Sequence, residues 1–344
     1  GPLSDVFGRK RILVTSGFVL VLATLACAVA PSFSALLAFR GLQGLAVPGI
    51  SAVAVAYIGD NFPRARTASL VGMYVAASGL GGLLGRVVAG VLSGYFDWRT
   101  AFYAFAVFTL AGTLAMVFAL RPDAPGRGSE HRGLFRAYAA MSRHAANVRL
   151  LAAFCIGALI FFAFVGVFTY LPYLLSAPPY RLGTEKISLF YLAYLAGVIV
   201  SPVSGGLSSR YGVRRLMTTG ICIAGVGVLM TLLMHVTLIA LGVVVLAIGM
   251  FTVQAIAPAF VNITAAGNKG GANAMYQVFY YGGAVFGSTL PGLAWEHWGW
   301  HGTLAVCMAS LTLALVATFF IDRAGGSAFE HEPVPLRTHL QVGE

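Results

Sequence analysis

Long apolar runs dominate this chain, and its polar residues gather in short clusters between them. A helix needs about 20 mostly apolar residues to cross a bilayer. Ten stretches meet that need: 12–30, 34–59, 67–94, 100–120, 150–175, 186–208, 215–234, 237–261, 271–294 and 302–321. The pattern predicts ten membrane-spanning helices and an all-α membrane protein. The longest polar stretch, 121–149, divides them into an N-terminal lobe of four helices (1–120) and a C-terminal lobe of six (150–322), with a polar tail at 323–344. Within that stretch, 134–150 reads either as a basic amphipathic helix lying on an anionic leaflet or as a solvated linker.

The two lobes share a pattern. Residues 1–13 read GPLSDVFGRKRIL and 205–217 read GGLSSRYGVRRLM. At an offset of 204, Leu3 meets Leu207, Ser4 meets Ser208, Gly8 meets Gly212, and Lys10-Arg11 meet Arg214-Arg215. At an offset of 202, Met73-Tyr74 meet Met275-Tyr276, Gly85 meets Gly287, Gly90 meets Gly292 and Trp98 meets Trp300. Internal duplication of a helical bundle is the architecture of many secondary transporters. The segment 149–205 holds two spans that have no counterpart ahead of Gly1, so two further helices are expected upstream.

Composition supports the membrane assignment: 58% of residues are hydrophobic and 10% charged, against about 25% charged in soluble domains. The net charge of +11 does not indicate nucleic acid, because the basic residues lie in short loops beside apolar spans. Their distribution sets an orientation instead. One set of loops holds Arg9, Lys10, Arg11, Arg64, Arg66, the arginines of 121–149, Arg210, Arg214, Arg215, Lys269 and Arg323; the opposite set holds Arg99, Arg181 and Lys186. By the positive-inside rule the first set is cytoplasmic, which places both ends of this chain, the linker and the tail on the cytoplasmic side of the membrane. Cys27, Cys155, Cys222 and Cys307 each stand alone in an apolar span, so neither a disulfide nor a metal site is expected.

The motifs together resemble the major facilitator superfamily. GPLSDVFGRKR resembles its signature loop between the second and third helices, RGLQGLAVPG (40–49) its fourth-helix motif, and GGLLGRVVAG (81–90) the fifth-helix motif of drug:proton antiporters. Arg86 stands where that last motif has Pro, and Ala89 where it has Gly. The whole is most similar to bacterial efflux permeases of the drug:proton antiporter and arabinose-efflux-type groups. The resemblance implies a two-lobe helical bundle with ten of twelve transmembrane helices present, a small-molecule substrate and protons as partners, no cofactor and a monomer.

Candidate residues fall into three groups. Asp5, Gly8, Arg9 and Asp60 lie at one membrane face and read as a conformational latch: Arg9 can pair with Asp60, and Asp5 can cap a helix N-terminus. As the resemblance implies, that cap falls on the helix beginning near Gly271. Arg40 and Arg86 lie within spans, where a charge at the bilayer centre costs at least about 2.5–3.5 kcal/mol. Arg40, one turn from Gln43, suits a water-filled cavity or snorkels to the interface, while Arg86 sits on a glycine-rich face and is expected to be buried there. Cavity candidates also include Tyr74, Tyr170, Tyr191, Tyr194, Gln254, Asn262, Tyr276, Gln277 and Tyr280, whose rings and amides suit an amphipathic solute. Gly81, Gly85, Gly90, Gly283 and Gly287 read as helix-packing positions.

With the resemblance, these features imply a secondary active transporter, expected to export a drug-like compound or a sugar by alternating access with proton coupling; import or uniport is the alternative within the class. Asp60, Asp97, Glu185, Glu296 and Asp322 all lie near span ends, which leaves no deep acid to carry a proton in these spans. A non-transporting membrane protein is the alternative outside the class. An intramembrane enzyme would need a nucleophile and base or a metal cluster at membrane depth, and the spans show neither. No phosphate-binding loop is present for ATP-driven transport.

Overall fold

The computed structural model describes residues 7–62, 64–121, 146–265 and 269–321. Every regular element among them is helical: α1 (Arg9–Ala28), α2 (Phe33–Asn61), α3 (Arg64–Tyr95), α4 (Trp98–Ala119), α5 (Val148–Ser176), α6 (Thr184–Ser188), α7 (Ala193–Tyr211), α8 (Val213–Met230), α9 (Val236–Thr264) and α10 (Lys269–Thr318). Nine of the described segments are long and apolar enough to cross a membrane. The last of them, Gly271–Thr318, has 48 residues, over twice what a bilayer requires. It is broken at Gly299 (φ 55°, ψ −139°), a conformation open to glycine because it carries no Cβ. Counted as two, it completes the ten spans expected.

Two details differ from expectation. The helices run past the apolar windows, as α3 does in starting at Arg64, because polar residues continue the backbone hydrogen-bond ladder beyond the hydrocarbon. The sixth span is interrupted: α6 passes through a 3-10 turn, Leu189–Leu192, into α7. At that point Ser188 Oγ donates to Glu185 O at 2.7 Å, an i−3 bond that suits a tightened turn.

The repeat seen in the sequence is a repeat of structure. Gly8 (φ 92°, ψ 144°) precedes α1 and Gly212 (φ 86°, ψ 145°) precedes α8. Both hold a left-handed turn that an L side chain resists. After each, two helices of like length follow, then a third that ends just before Trp98 or Trp300. The basic residues repeat in use as well. Lys10 Nζ donates to Val117 O and Leu120 O (2.8 and 2.6 Å), at the end of α4. Its counterpart Arg214 lies 4.9 Å from the Phe319 ring, at the end of α10. A cation there complements the negative C-terminal end of a helix.

Packing inside each lobe relies on small residues. In the C-terminal lobe α5 and the first half of α10 run parallel in close contact. A Cβ at Gly283 would collide with the Ala158 main chain, and one at Gly287 with that of Phe162. Helices α8 and α9 run antiparallel, with Gly227 against Leu246 and Gly220 against Gly249. The described N-terminal lobe has a smaller buried cluster of Leu13, Val53 and Tyr57. There Gly17 of α1 faces Thr113 of α4, and Gly49 of α2 faces Ser16 of α1.

Candidate functional site

The lobes meet chiefly along one antiparallel pair, α3 against the α6–α7 segment. The register reads directly from neighbours. Gly79 faces Val198, Arg86 faces Tyr194 and Tyr191, Gly90 faces Ser188, and Gly94 faces Glu185. This contact covers the part of α3 remote from its first turn at Arg64. It therefore lies toward the face opposite the 121–149 linker, the face that carries the turns at 96–97 and 177–183. Gly90 is the tightest point, where a Cβ would overlap the Ser188 side chain. At Gly94 a Cβ would sit 3.0 Å from Glu185 N and 3.1 Å from Glu185 Cβ.

Arg86 is exposed rather than buried in a glycine packing face, which corrects the sequence-based expectation. The reason lies in its neighbours: a Cβ at Gly81 or Gly85 would meet nothing within 4 Å, so that stretch of α3 borders open space. Of the three α3 packing candidates Gly90 abuts another helix among the described residues, and Gly283 and Gly287 lie against the α5 main chain. The Arg86 guanidinium donates to Gly82 O at 2.8 Å. It lies 5.2 Å from the Tyr194 ring centroid and 5.9 Å from that of Tyr191, within range of a cation–π attraction.

Those two tyrosines rest on an aromatic group inside the C-terminal lobe. Tyr194 packs edge-on against Phe164 (5.0 Å), Phe168 (5.1 Å) and Phe251 (6.0 Å), and Tyr191 stacks on Phe168 at 5.4 Å. The Tyr191 hydroxyl donates to Phe168 O at 3.3 Å. Sequence reading found the tyrosines but missed Phe164, Phe168 and Phe251, because phenylalanine in an apolar span carries no polar signal.

Arg40 occupies a different setting. Its Nη1 donates to Gln43 Oε1 at 2.9 Å, Gln43 Nε2 donates to Thr24 Oγ1 at 2.7 Å, and the Thr24 hydroxyl donates to Leu20 O at 2.6 Å. The guanidinium is exposed while Gln43 is 8% exposed, so a buried relay across α1 and α2 anchors an accessible cation. Tyr74 reaches Ser51 O at 3.4 Å, linking α3 to α2.

Other candidates hold the C-terminal lobe together. Tyr170 donates to Ser288 O at 2.9 Å and stacks near Trp295. Tyr276 and Tyr280 are 2% and 6% exposed, and Tyr280 stacks on Phe161 at 3.9 Å. Gln277 is exposed on α10. Asn262 accepts from Asn273 Nδ2 at 2.5 Å and so ties the end of α9 to the start of α10. Among the described residues Gln254 Oε1 and the Tyr276 hydroxyl are buried and have no hydrogen-bond partner, and such groups suit a bound water or solute. Of the latch residues, Asp5 lies outside the described residues, as do the side chain of Asp60 and most of the linker. Gly8 has its left-handed turn and Arg9 opens α1.

The Major Facilitator Superfamily model matches residues 1–184 and 179–341, which together span nearly the whole chain. The chain belongs to the Major Facilitator Superfamily. Its relatives within the superfamily include the uncharacterized MFS-type transporter YybF of Bacillus subtilis. That protein is 31% identical over 326 residues, which cover 94% of this chain and 80% of YybF. The inner membrane transport protein YnfM of Escherichia coli is likewise 31% identical over 316 residues, 92% of this chain and 76% of YnfM. The superfamily fold is also that of the nucleoside transporter NupG (TM-score 0.74, 13% identity, 93% of this chain and 85% of that one). A bacterial Spinster homologue gives a TM-score of 0.70 at 15% identity, covering 93% of this chain and 84% of that one. Such a superfamily member is a membrane transporter of small molecules and not an enzyme.

Proposed function

We propose that the protein is a secondary active transporter that exports a small organic solute from a bacterial cell by alternating access, in exchange for protons. The observation that carries this reading is the lobe contact: two internally packed lobes touch chiefly along α3 and α6–α7, toward one face. Separating them there requires breaking little within either lobe. The loop charge pattern puts the linker face in the cytoplasm, so the contact closes the outer face of an inner-membrane protein. Arg40, Arg86, Tyr191 and Tyr194 line the route between the lobes. Asp5, Arg9 and Asp60 latch the inner face when it closes. Export and proton exchange rest on the likeness of 81–90 to the fifth-helix motif of drug:proton antiporters, from which Arg86 and Ala89 depart. Uniport is the second reading, favoured by the position of Asp60, Asp97, Glu185 and Glu296 at span ends.

A reversible cross-link tests the mechanism. In the protein with its native cysteines replaced, Gly94→Cys and Glu185→Cys are placed together. A Cβ at Gly94 lies 3.1 Å from Glu185 Cβ, a few tenths of an ångström short of the usual disulfide spacing of about 3.5–4.5 Å. Oxidation is expected to stop export of a fluorescent solute and reductant to restore it. Full export with the cross-link formed refutes alternating access at this contact. Orientation is checked separately: Ser129→Cys labels only from the cytoplasm and Ala177→Cys only from outside.

A further inference from the structure

Arg86 is a charge within a span, at the seam between the lobes, and among the described residues no acidic side chain pairs with it. It lies nine residues before the end of α3 at Tyr95, about two and a half turns into the membrane from that end. Its side chain points toward the other lobe, since the rings beneath it, Tyr191 and Tyr194, belong to the α6–α7 segment. A lipid-facing position is thereby excluded, and the group faces the space through which a solute passes. The one acid on the facing segment, Glu185, meets Gly94, eight residues and about 12 Å further along α3. Arg40 differs, because an anchored amide oxygen accepts its proton. For Arg86 the described acceptor is a main-chain carbonyl, Gly82 O. A neutral carbonyl and two aromatic faces hold a guanidinium in place but leave its positive charge uncompensated, and a charge within the membrane seeks a counter-charge.

We propose that Arg86 is the recognition point for an anionic group on the transported solute, and that Tyr191 and Tyr194 bind the flat apolar body beside it. The substrate class is then an organic anion: a carboxylate or a similar two-oxygen acid attached to an aromatic or planar skeleton. This rests on the transporter reading above and narrows its substrate. Guanidinium suits such a group because its planar fork meets two oxygens at once. The aromatic group behind the tyrosines supplies a rigid, apolar wall. The closure at Gly90–Ser188 and Gly94–Glu185 lies just beyond, so an anion held at Arg86 stands immediately behind the closed seam.

The test compares three probes of one shape on the purified protein: 2-naphthoate, its neutral amide 2-naphthamide, and the cation 2-naphthylmethylammonium. Equilibrium dialysis reads the dissociation constants. The naphthoate is expected to bind on the order of tenfold or more tighter than the amide, and the ammonium weakest. Arg86→Gln, which keeps polarity without charge, is expected to bring naphthoate and amide within about twofold. Arg86→Lys keeps part of the preference. Tyr194→Phe leaves it intact, while Tyr194→Leu weakens naphthoate and amide together and preserves their ranking. Unliganded melting temperatures of the four variants confirm that folding is not what changed. Equal binding of the three probes, tighter binding of the cation, no binding of naphthoate at millimolar concentration, or a full anion preference in Arg86→Gln overturns the proposal. The Gly94→Cys/Glu185→Cys assay is run on the same preparation. A reversible block there with no anion preference refutes the substrate class alone, and export that persists through the cross-link refutes the transport mechanism.

Discussion

Among the described residues Arg40, Gln43 and Thr24 show how a cation is held within a span by an amide and a hydroxyl. The guanidinium leans on an amide oxygen, the amide leans on a hydroxyl of the neighbouring helix, and that hydroxyl returns its proton to a main-chain carbonyl. Inter-helix hydrogen bonds of this kind in membranes contribute about 0.6 kcal/mol on average, with a maximum near 1.7. Thr24→Val is expected to cost an amount in that range in a detergent unfolding titration. Gln43→Leu is expected to cost more, because it removes the acceptor from a charge as well. Equal costs would mean that Arg40 draws nothing from the relay. Arg40 and Gln43 were legible in the sequence as polar residues one turn apart. Thr24 was not, since a lone threonine in an apolar helix commonly bonds back to its own chain. Arg86 was legible as an anomaly, but its partners were not. Tyr191 and Tyr194 lie over a hundred positions away on another lobe, and no periodicity within α3 points to them.

At the scale of helices, glycine divides into two classes that the sequence shows identically. At Gly227 and Gly283 an added methyl group meets main-chain atoms of the neighbouring helix, which cannot rotate away. Gly227→Ala and Gly283→Ala are each expected to destabilise by about 1–3 kcal/mol, read as a lower midpoint in thermal unfolding. At Gly81 and Gly85 nothing lies within 4 Å. Gly81→Ala is expected to fall within about 0.5 kcal/mol of the parent, helped by the better helix propensity of alanine. A loss at Gly81 as large as that at Gly283 would mean that the open space beside α3 is filled in the working protein. The helices themselves were legible because a bilayer demands long apolar runs. Which side of each helix packs was not, since both sides are apolar in a membrane and the low-polarity pattern carries no direction.

For the molecule as a whole, the duplicated turns at Gly8 and Gly212 and the shared placement of Lys10 and Arg214 make each lobe a separately tied unit. In the proposed mechanism, movement then belongs to the seam between them. Gly90→Val is expected to prise α3 from Ser188 and shift the resting population toward opening at the face opposite the linker. A cysteine at Ala177 would report this as faster labelling from that side. No change in labelling with intact expression would mean that the seam yields without opening. The repeat made the lobes legible in the sequence, but their contact was hidden, because the sequence says which helices are equivalent and not which ones touch.

The position of that seam sets a mechanical advantage. From Gly90 back to Arg64 the third helix runs 26 residues, about 39 Å at 1.5 Å per residue. With its fulcrum near Gly90, a tilt of only about 10° displaces the far end by about 7 Å. On the proposed alternating-access reading, a sub-ångström accommodation at Ser188 is magnified into a displacement of that size at the other face, with neither lobe deformed.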